Sequence, residues 1–284
     1  MQLRWAMKRT LKWTVEWGMA LTGLGLLYRH TSTFREGFRI LTYHRVSEHC
    51  EDSYTLRTDH FRAHMQFLSD HHPVITLSEL ADRVVNGPPP EAGSVAITFD
   101  DGYEDSSSIV SEILDRRRLP ATFFVVTGIL DGQTIPMYGG RFMTWADVRH
   151  MVSAGFAIGS HTVSHTSLGA MSAAEVEHEL AHSKNRILQE TAIAPDGLAY
   201  PYGTVRDVSP AIADIAKKVG YRHAVTAMHG LNYPGGNPFL LRRTSITAGD
   251  GPRTFRMIMK GYLDPWVFVD KWGYRFQRPH RSWI

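Results

Sequence analysis

The sequence predicts an α/β fold in which helices cover a parallel sheet that is open or closed into a barrel. After residue 38, short apolar segments alternate with amphipathic ones. The apolar segments are nearly continuous in hydrophobic residues, which is typical of parallel strands buried on both faces. Neither an internal repeat nor a low-complexity block interrupts the alternation. We therefore expect one domain over residues 38–284, preceded by a helical N-terminal segment over residues 1–37.

The predicted elements follow one another in a regular order. FRILTYH is the first strand, and helices follow over residues 59–69 and 76–85, the second with Thr76 and Glu79 as a capping box. The three prolines at 88–90 predict a rigid surface loop. The remaining strands are predicted at SVAITF, ATFFVV, FAIGSH, GLAYPYG, HAVT and LRRTSI, and the remaining helices at residues 106–117, 145–153, 172–190 and 210–219.

The bulk composition limits the class of protein. At 284 residues, with 43% apolar and 21% charged residues, the chain has the make-up of an ordinary globular protein with a sizeable core. A formal net charge of +3 does not indicate a nucleic-acid binder, whose basic residues should cluster in a patch or stripe. The one cysteine, Cys50, excludes an intrachain disulfide and a cysteine-based zinc cluster. No protein partner is evident.

Residues 1–28 form a basic, tryptophan-bearing segment. Its cations precede the first acid, Glu16, and an uncharged run extends over residues 17–28. A helix of that run covers about 18 Å, short of the roughly 30 Å hydrocarbon core, and no small-x-small cleavage site follows it. The pattern is typical of a helix lying in a membrane interface, and we expect membrane association through these residues. The alternatives are a helix packed on the domain's own surface and an uncleaved signal-like anchor.

Polar groups cluster at the ends of four predicted strands. Asp100 and Asp101 follow SVAITF, and His161 and His165 follow FAIGS. A histidine ends FRILTYH, and a Pro-Tyr-Gly turn at residues 201–203 ends GLAYPYG. Parallel sheets and barrels collect functional groups at the carboxyl ends of their strands, so we expect these residues to meet.

His-x-x-x-His spacing alone is weak evidence here, because a chain with 15 histidines in 284 residues produces roughly one such match by chance. Two other pairs lie in predicted amphipathic helices among charged neighbours, and we expect both on solvated faces: His60/His64 and His178/His182. His161 and His165 instead follow a strand, which makes them the candidate metal ligands.

The motifs TFDDG, SHTVSH and YPYG, in this order and at these separations, resemble the first three motifs of the NodB-homology polysaccharide deacetylases, carbohydrate esterase family 4. MTWADVRHMVSAGFAIGSHTVSHTSL is similar to the family's helix and strand before the histidine motif, and the resemblance spans residues 38–247. ILTYHRV, AYPYG and LRRTSI resemble the exopolysaccharide-modifying branch, which includes poly-N-acetylglucosamine deacetylases. The resemblance implies a distorted (β/α)7 barrel and metal-dependent removal of an N-acetyl group from an N-acetylated glycan.

The resemblance also assigns roles to individual residues. It implies Asp101, His161 and His165 as metal ligands and Asp100 as the general base. Zinc is the first expectation for the metal, and Co²⁺, Ni²⁺ or Mn²⁺ also suit this ligand set. The backbone N–H of Tyr202 is the implied donor to the oxyanion.

Two features depart from the family pattern. The arginine that pairs with the base in many members is absent from residues 198–200, and Arg243, or else Arg242, is the expected substitute. The family's Leu-x-His segment is absent as well. We therefore expect His44 to be the general acid, with a buried, hydrogen-bonded histidine as the alternative.

Substrate contacts and the hydrolysed bond complete the expectations. Aromatic residues near the strand ends are an expected sugar-stacking surface, although such residues are as often core: Tyr43, Tyr103, Trp145, Tyr200 and Tyr202, together with Pro201. The same centre is compatible with hydrolysis of an O-acetyl ester or of a formamide on a lipid-linked sugar. Outside enzymes, the alternatives are a glycan-binding protein with a decayed site, against which the intact acids and histidines argue, and a membrane-surface scaffold.

Overall fold

The computed structural model describes residues 2–49, 52–85, 87, 91–137 and 139–273, with the side chains of the first helix described from Thr10 onward. The predicted proline loop at 88–90 and Cys50 lie outside the described residues. The strands are β1 (Arg39–Tyr43), β2 (Arg45–Ser47), β3 (Thr55–Arg57), β4 (Val95–Phe99), β5 (Thr122–Val125), β6 (Ala157–Ser160), β7 (Gly197–Ala199), β8 (His223–Val225) and β9 (Thr244–Ser245). The helices are α1 (Gln2–Leu21), α2 (Leu24–Arg29), α3 (Ser32–Arg35), α4 (Thr58–His71), α5 (Leu77–Val85), α6 (Ser111–Asp115), α7 (Thr127–Leu130), α8 (Trp145–Ser153), α9 (Ala173–Thr191), α10 (Pro210–Val219), α11 (Pro252–Met259) and α12 (Trp266–Gly273).

Seven strands form one curled, parallel sheet in the order β8-β7-β6-β5-β4-β1-β9. Within the described residues β9 pairs with β1 alone, so the half-barrel stays open between β8 and β9, where Leu241 bridges Val225. The predicted parallel α/β barrel, distorted rather than closed, is confirmed. A small parallel pair, β2 with β3, stands outside it and has no counterpart in the predicted elements.

The strands are buried on both faces, as their continuous apolar sequence predicts. All residues of β1 and β4 are buried. In β4, Ala96 packs into the cluster inside the half-barrel, whereas Ile97 and Phe99 pack into the cluster beneath the outer helices. Side chains alternate along a strand, so Asp100 continues the inward face of Ala96 and Thr98. Asp101 lies in the turn that follows, with a φ of 75°, and its side chain leaves the chain in a different direction.

Several predicted bounds differ from the structure. The helix predicted over residues 106–117 is a π-helical turn, Ser106–Val110, followed by α6. LRRTSI contributes only the two residues of β9 to the sheet. Helices α11 and α12 follow residue 247, where the sequence pattern predicts no element.

The N-terminal segment packs against the domain, which is one of the two main alternatives for it. Lys12 Nζ lies 2.6 Å and 2.7 Å from the carboxylate oxygens of Asp250. Gly25 faces the ring of Tyr262 so closely that an added Cβ would lie 2.4 Å from it. The segment is three helices, because α1 ends at Leu21 and α2 begins after a break at residues 22–23. In the described residues, no helix is long and apolar enough to cross a membrane.

The expected solvated histidine faces are correct for His178 and His182, which are exposed, and wrong for His64. The ring of His64 is fully buried and stacks on Phe255 at a centroid distance of 3.9 Å. Burial lowers the pKa of His64 to about 3. The physical reason is α11, which covers this face of α4 and supplies Phe255.

Candidate active site

Three ligand atoms meet at the carboxyl ends of β4 and β6. Asp101 Oδ1 lies 3.4 Å from Nε2 of His161 and 3.4 Å from Nε2 of His165. All three ligand atoms lie within 4.8 Å of one another. Asp101 and His161 are buried and His165 is partly exposed. The structure therefore brings the three predicted metal ligands together.

A hydrogen bond to the backbone fixes the orientation of the His161 ring. Its Nδ1 lies 2.7 Å from the carbonyl oxygen of Ala199. A carbonyl can only accept, so Nδ1 carries the hydrogen and donates it, and Nε2 is the ring nitrogen that faces Asp101. A backbone acceptor on the outer nitrogen is the usual support of a metal-ligating histidine.

Opposing effects set the pKa values in this cluster. Burial raises the pKa of Asp101, but hydrogen bonding to His161 and the charges of nearby histidines hold it well below its usual range. Burial lowers the pKa of His161, but the hydrogen bond to Asp101 and the charges of Asp100 and Asp101 raise it by more than burial lowers it. The net shift in the pKa of His161 is therefore upward. Burial lowers the pKa of His165 to about 4, which leaves its imidazole neutral at physiological pH. The carboxylate is thus anionic and one imidazole is neutral, as metal ligation requires.

The donor set and its spacing fit a divalent cation. Two imidazoles and one carboxylate are the ligands of catalytic zinc sites with an open position. Ligand atoms about 2.0–2.1 Å from a tetrahedral centre lie roughly 3.3 Å apart. The 3.4 Å separations from Asp101 to each histidine agree with that spacing.

The backbone is strained around the cluster. Asp101, Thr162, His165 and Tyr202 have φ values of 75°, 68°, 54° and 59°. Non-glycine residues with such values cost of order 1–3 kcal/mol each and concentrate at functional sites. Gly203 (φ 56°) adjoins them, and a Cβ there would lie 2.5 Å from the backbone nitrogen of Ala227. The turn thus requires glycine next to Tyr202.

Asp100 forms a bidentate ion pair with Arg243. Nη1 lies 2.7 Å from Oδ1 and Nη2 lies 2.6 Å from Oδ2, and both side chains are buried. The guanidinium also donates to Thr226 O, Thr42 Oγ1 and Thr98 Oγ1. Burial raises the pKa of Asp100, but Arg243 and His161 outweigh it and keep the carboxylate ionised. The predicted pairing is present.

Arg242, the other candidate for this partnership, lies elsewhere. Its Nη1 donates to the backbone oxygen of His229 at 3.0 Å. The two adjacent arginines therefore have separate roles: Arg243 binds the carboxylate of Asp100, and Arg242 binds a backbone carbonyl.

His44 follows β1 and lies beside the cluster. It is partly exposed, its ring packs against Tyr54 at 4.8 Å, and its charge lowers the pKa values of Asp100 and Asp101. Its buried Nδ1 has no hydrogen-bond partner among the described residues. The alternative of a buried histidine satisfied by a hydrogen bond at Nδ1 therefore does not describe it. Its role as an acid stays a prediction.

The expected sugar-stacking surface is wrong for most of its members. Tyr43, Tyr103 and Tyr200 are each 1% exposed and Trp145 is 8% exposed, so they belong to the core. The turn residue Pro201 is buried too. Tyr202 keeps partial exposure, and its ring centroid lies 5.1 Å from that of His165. The physical reason is packing between elements: Tyr43 stacks on Phe99, Tyr103 stacks on Phe142, and the hydroxyl of Tyr200 donates to the backbone oxygen of Phe239.

Glu179 is a supporting residue that the sequence pattern did not identify. From α9, its carboxylate accepts from the backbone N–H of Val163 at 2.9 Å and of Ser164 at 3.0 Å. These residues lie in the loop between the two ligating histidines. No local signal indicates this contact, because a helix brings Glu179 to the loop from a distance in sequence. Thr98 could have been identified, since it lies two residues before Asp100 on the same strand face.

Fold and site together define a hydrolytic enzyme built on a parallel half-barrel, with its acids and histidines at one edge of the sheet. Residues 87–224 match the family model for polysaccharide deacetylase. These residues, just under half of the chain, form a polysaccharide deacetylase domain, and the resemblance of the motifs to that family is confirmed. The matched residues include the cluster and Asp100, whereas His44 and Arg243 lie outside them.

Curated relatives align over different lengths. YxkH of Bacillus subtilis is 28% identical over 215 residues, which is 74% of this chain and 71% of YxkH. The peptidoglycan-N-acetylglucosamine deacetylase PgdA of Listeria monocytogenes is 31% identical over 114 residues, 39% of this chain and 22% of PgdA. A chitooligosaccharide deacetylase of Bradyrhizobium is 31% identical over 112 residues, 39% of this chain and 46% of that protein. The chain thus spans less than half of the latter two relatives.

Solved structures share the fold. The Streptococcus pyogenes deacetylase PplD superposes with a TM-score of 0.70 at 22% identity, covering 79% of this chain and 99% of PplD. IcaB from Ammonifex degensii gives a TM-score of 0.68 at 22% identity, covering 80% of this chain and 97% of IcaB. At this identity the likeness concerns the fold alone.

Proposed function

We propose that this enzyme removes N-acetyl groups from amino-sugar residues of a polysaccharide, with a divalent metal ion, zinc first, at Asp101, His161 and His165. The observation that carries the proposal is the juxtaposition of this cluster with the buried Asp100–Arg243 pair. A metal ion held there would lower the pKa of a bound water and polarise the acetamide oxygen. Every other step belongs to side-chain and backbone groups of the chain itself.

Asp100 is the general base for the attacking water. It is ionised, and Arg243 occupies one lone pair on each carboxylate oxygen, which leaves the others to accept a proton. The bidentate contact fixes the plane of the carboxylate, so the accepting oxygen keeps a constant direction. The adjacent Asp101 points to the histidines instead, which separates the base from the ligand.

The remaining groups act on the amide itself. As the water oxygen bonds to the acetyl carbon, the backbone N–H of Tyr202 donates to the oxygen that gains charge. Protonated His44 then gives its proton to the amide nitrogen, and the carbon–nitrogen bond breaks. One proton has moved to Asp100 and one has left His44, so the products are acetic acid and a free amino sugar, and transfer of the acid's proton to the amine gives acetate and the ammonium form of the sugar.

The substrate class is supported by the names of the relatives. Listeria PgdA is named a peptidoglycan-N-acetylglucosamine deacetylase, and the Bradyrhizobium relative is named a chitooligosaccharide deacetylase. Both names concern N-acetylated sugars, which favours an acetamide over an O-acetyl ester. We therefore place β-linked N-acetylglucosamine polymers first among the substrates to be tested.

The decisive experiment measures acetate release from N-acetylglucosamine oligomers and from O-acetylated glycans, with and without chelator. The wild type should release acetate from the N-acetylated set and lose activity on chelation. Asp101→Asn should lose both metal, measured by elemental analysis, and activity. Asp100→Asn should lose activity and keep its metal. Release from O-acetylated glycans alone, or release that resists chelation, would overturn the proposal.

A second variant tests the acid. His44→Ala should lower turnover on N-acetylated oligomers by about 10²–10⁴-fold, the usual contribution of a general acid. Its metal content should match the wild type. Full activity, or loss of the metal, would remove His44 from this role.

A further inference from the structure

Among the side chains described from Thr10 onward, helix α1 packs on the domain through its charged residues Lys12 and Glu16. Lys12 pairs with Asp250, and Glu16 is 1% exposed. The opposite side carries Trp13, Trp17 and Leu21, which are 49%, 36% and 80% exposed. These three follow one another at four-residue spacing and so form one stripe. A helix on the surface of a soluble protein normally buries its apolar side and exposes its charges.

The exposed apolar side chains continue into α2. Leu24, Leu26 and Leu27 are 54%, 57% and 69% exposed. Gly25 lies between them and packs tightly on Tyr262, which holds α2 against the domain with these leucines outward. Residues 13, 17, 21, 24, 26 and 27 therefore form a fixed apolar surface, here called the apolar stripe.

A basic crevice runs beside the apolar stripe, between the N-terminal helices α1–α3 and α11. Three adjoining cavities form it; Arg256 and Lys260 line both the first and the second, and Arg29 lines both the second and the third. The middle cavity has a volume of about 550 Å³. Among the residues that line the three cavities there are arginines, a lysine and histidines, and neither aspartate nor glutamate.

Most cations of this crevice have no carboxylate partner within the described chain; the exception is Arg39, which lines the middle cavity and pairs with Asp264. No carboxylate pairs there with Arg29, Arg253, Arg256 or Lys260. The guanidinium of Arg253 lies over the ring of Trp17 at 4.5 Å, so the cations touch the apolar stripe directly. Like charges gathered without counterions repel, and a bound anion relieves that repulsion.

We infer that this face docks on an anionic phospholipid surface. Tryptophan and leucine side chains of the apolar stripe enter the boundary between headgroups and acyl chains, and the crevice holds lipid phosphates. A nucleic acid offers phosphates but gives no place to exposed leucines, whereas an anionic bilayer matches both features. The inference does not rest on the proposed deacetylation, because binding is measured without substrate.

The test is flotation of the full-length protein with vesicles of phosphatidylcholine alone or with 30% phosphatidylglycerol. At low salt the wild type should bind the anionic vesicles and should not bind vesicles of phosphatidylcholine alone. Arg256→Gln/Lys260→Gln should bind about 30-fold more weakly, since each cation near an anionic surface contributes roughly fivefold. The matched control is Lys217→Gln/Lys218→Gln, which removes two exposed cations from α10 and should bind as the wild type does.

A second pair of substitutions tests the apolar contribution. Leu21→Gln/Leu27→Gln changes two side chains that are 80% and 69% exposed, so the fold should be retained, as circular dichroism would check. Its binding should fall by about tenfold or more at both low and high salt, because apolar insertion is not screened. Equal binding by all variants, no binding to anionic vesicles, or a stable dimer that the leucine substitutions break would each overturn the inference.

Discussion

Replacing Arg243 by methionine removes the counterion of a carboxylate buried inside the half-barrel. Asp100 is 3% exposed and Arg243 is 1% exposed. Besides the ion pair, the guanidinium donates to one backbone carbonyl and two threonine hydroxyls, at 2.8 Å to 3.2 Å. Methionine fills much of the same volume, so the substitution tests charge and hydrogen bonding more than packing.

The magnitude follows from burial. Removing one partner of a buried pair costs about 3–5 kcal/mol, because the other charge remains buried without compensation. For 284 residues the unfolding entropy near the midpoint is about 0.6 kcal/mol per degree. Arg243→Met should therefore melt about 5–8 °C below the wild type, by circular dichroism at neutral pH. Acetate release should fall as well, since the base loses its fixed direction.

Matched variants separate this reasoning from a general effect of substitution. Arg242→Met removes a cation that bonds to a backbone carbonyl and not to a carboxylate, and should melt within about 2 °C of the wild type. Asp100→Asn/Arg243→Met removes the stranded charge and should recover at least half of the lost stability, although not activity. If Arg243→Met melts with the wild type, or no lower than Arg242→Met, then the ion pair does not stabilise the fold as argued.

Two further predictions concern other carboxylates. Glu179→Gln should weaken metal binding about tenfold in a chelator competition, because the loop between the histidines loses a charged acceptor. The control Glu177→Gln, at a partly exposed residue of the same helix that pairs with Lys218, should bind metal as the wild type does, and equal affinities of the two variants would contradict the support role. Burial raises the pKa of Glu16 to about 8. The folded protein therefore keeps a proton that the unfolded chain loses, so stability should fall by on the order of 3–5 kcal/mol as pH rises from about 4.5 to about 8 and then level off. Glu16→Gln should flatten that part of a urea-denaturation series, and a curve that coincides with the wild type would refute the assignment.

The fold could be predicted to a large extent because its signals are local. Alternating apolar and amphipathic segments identified the strands of the sheet, and Thr144 and Ser172 begin α8 and α9 with capping boxes. The alternation of strands and helices ends at β9, so it does not indicate α11, which follows the last strand. Without α11 the burial of His64 against Phe255 could not be predicted.

The candidate site likewise has residues that could be predicted from the sequence and residues that could not. Asp100, Asp101, His161 and His165 could be identified because each follows a strand, and carboxyl ends of parallel strands converge. Arg243 could be proposed only by elimination, since its partner lies 143 residues away in sequence. The burial of the aromatic residues could not be predicted, because a tyrosine near a strand end has the same local pattern in the core and at the surface.

By itself the sequence determined a parallel α/β domain of the polysaccharide deacetylase family with an Asp-His-His cluster and an adjacent acid. Periodicity and motif spacing encode these features within short segments, which need no knowledge of distant contacts. Only the tertiary structure decided that Arg243 holds Asp100, that Glu179 holds the histidine loop, and that α1 buries Glu16 while it exposes Trp13 and Trp17. Each of these depends on which surfaces meet across the fold, and that is set by packing between segments far apart in the chain.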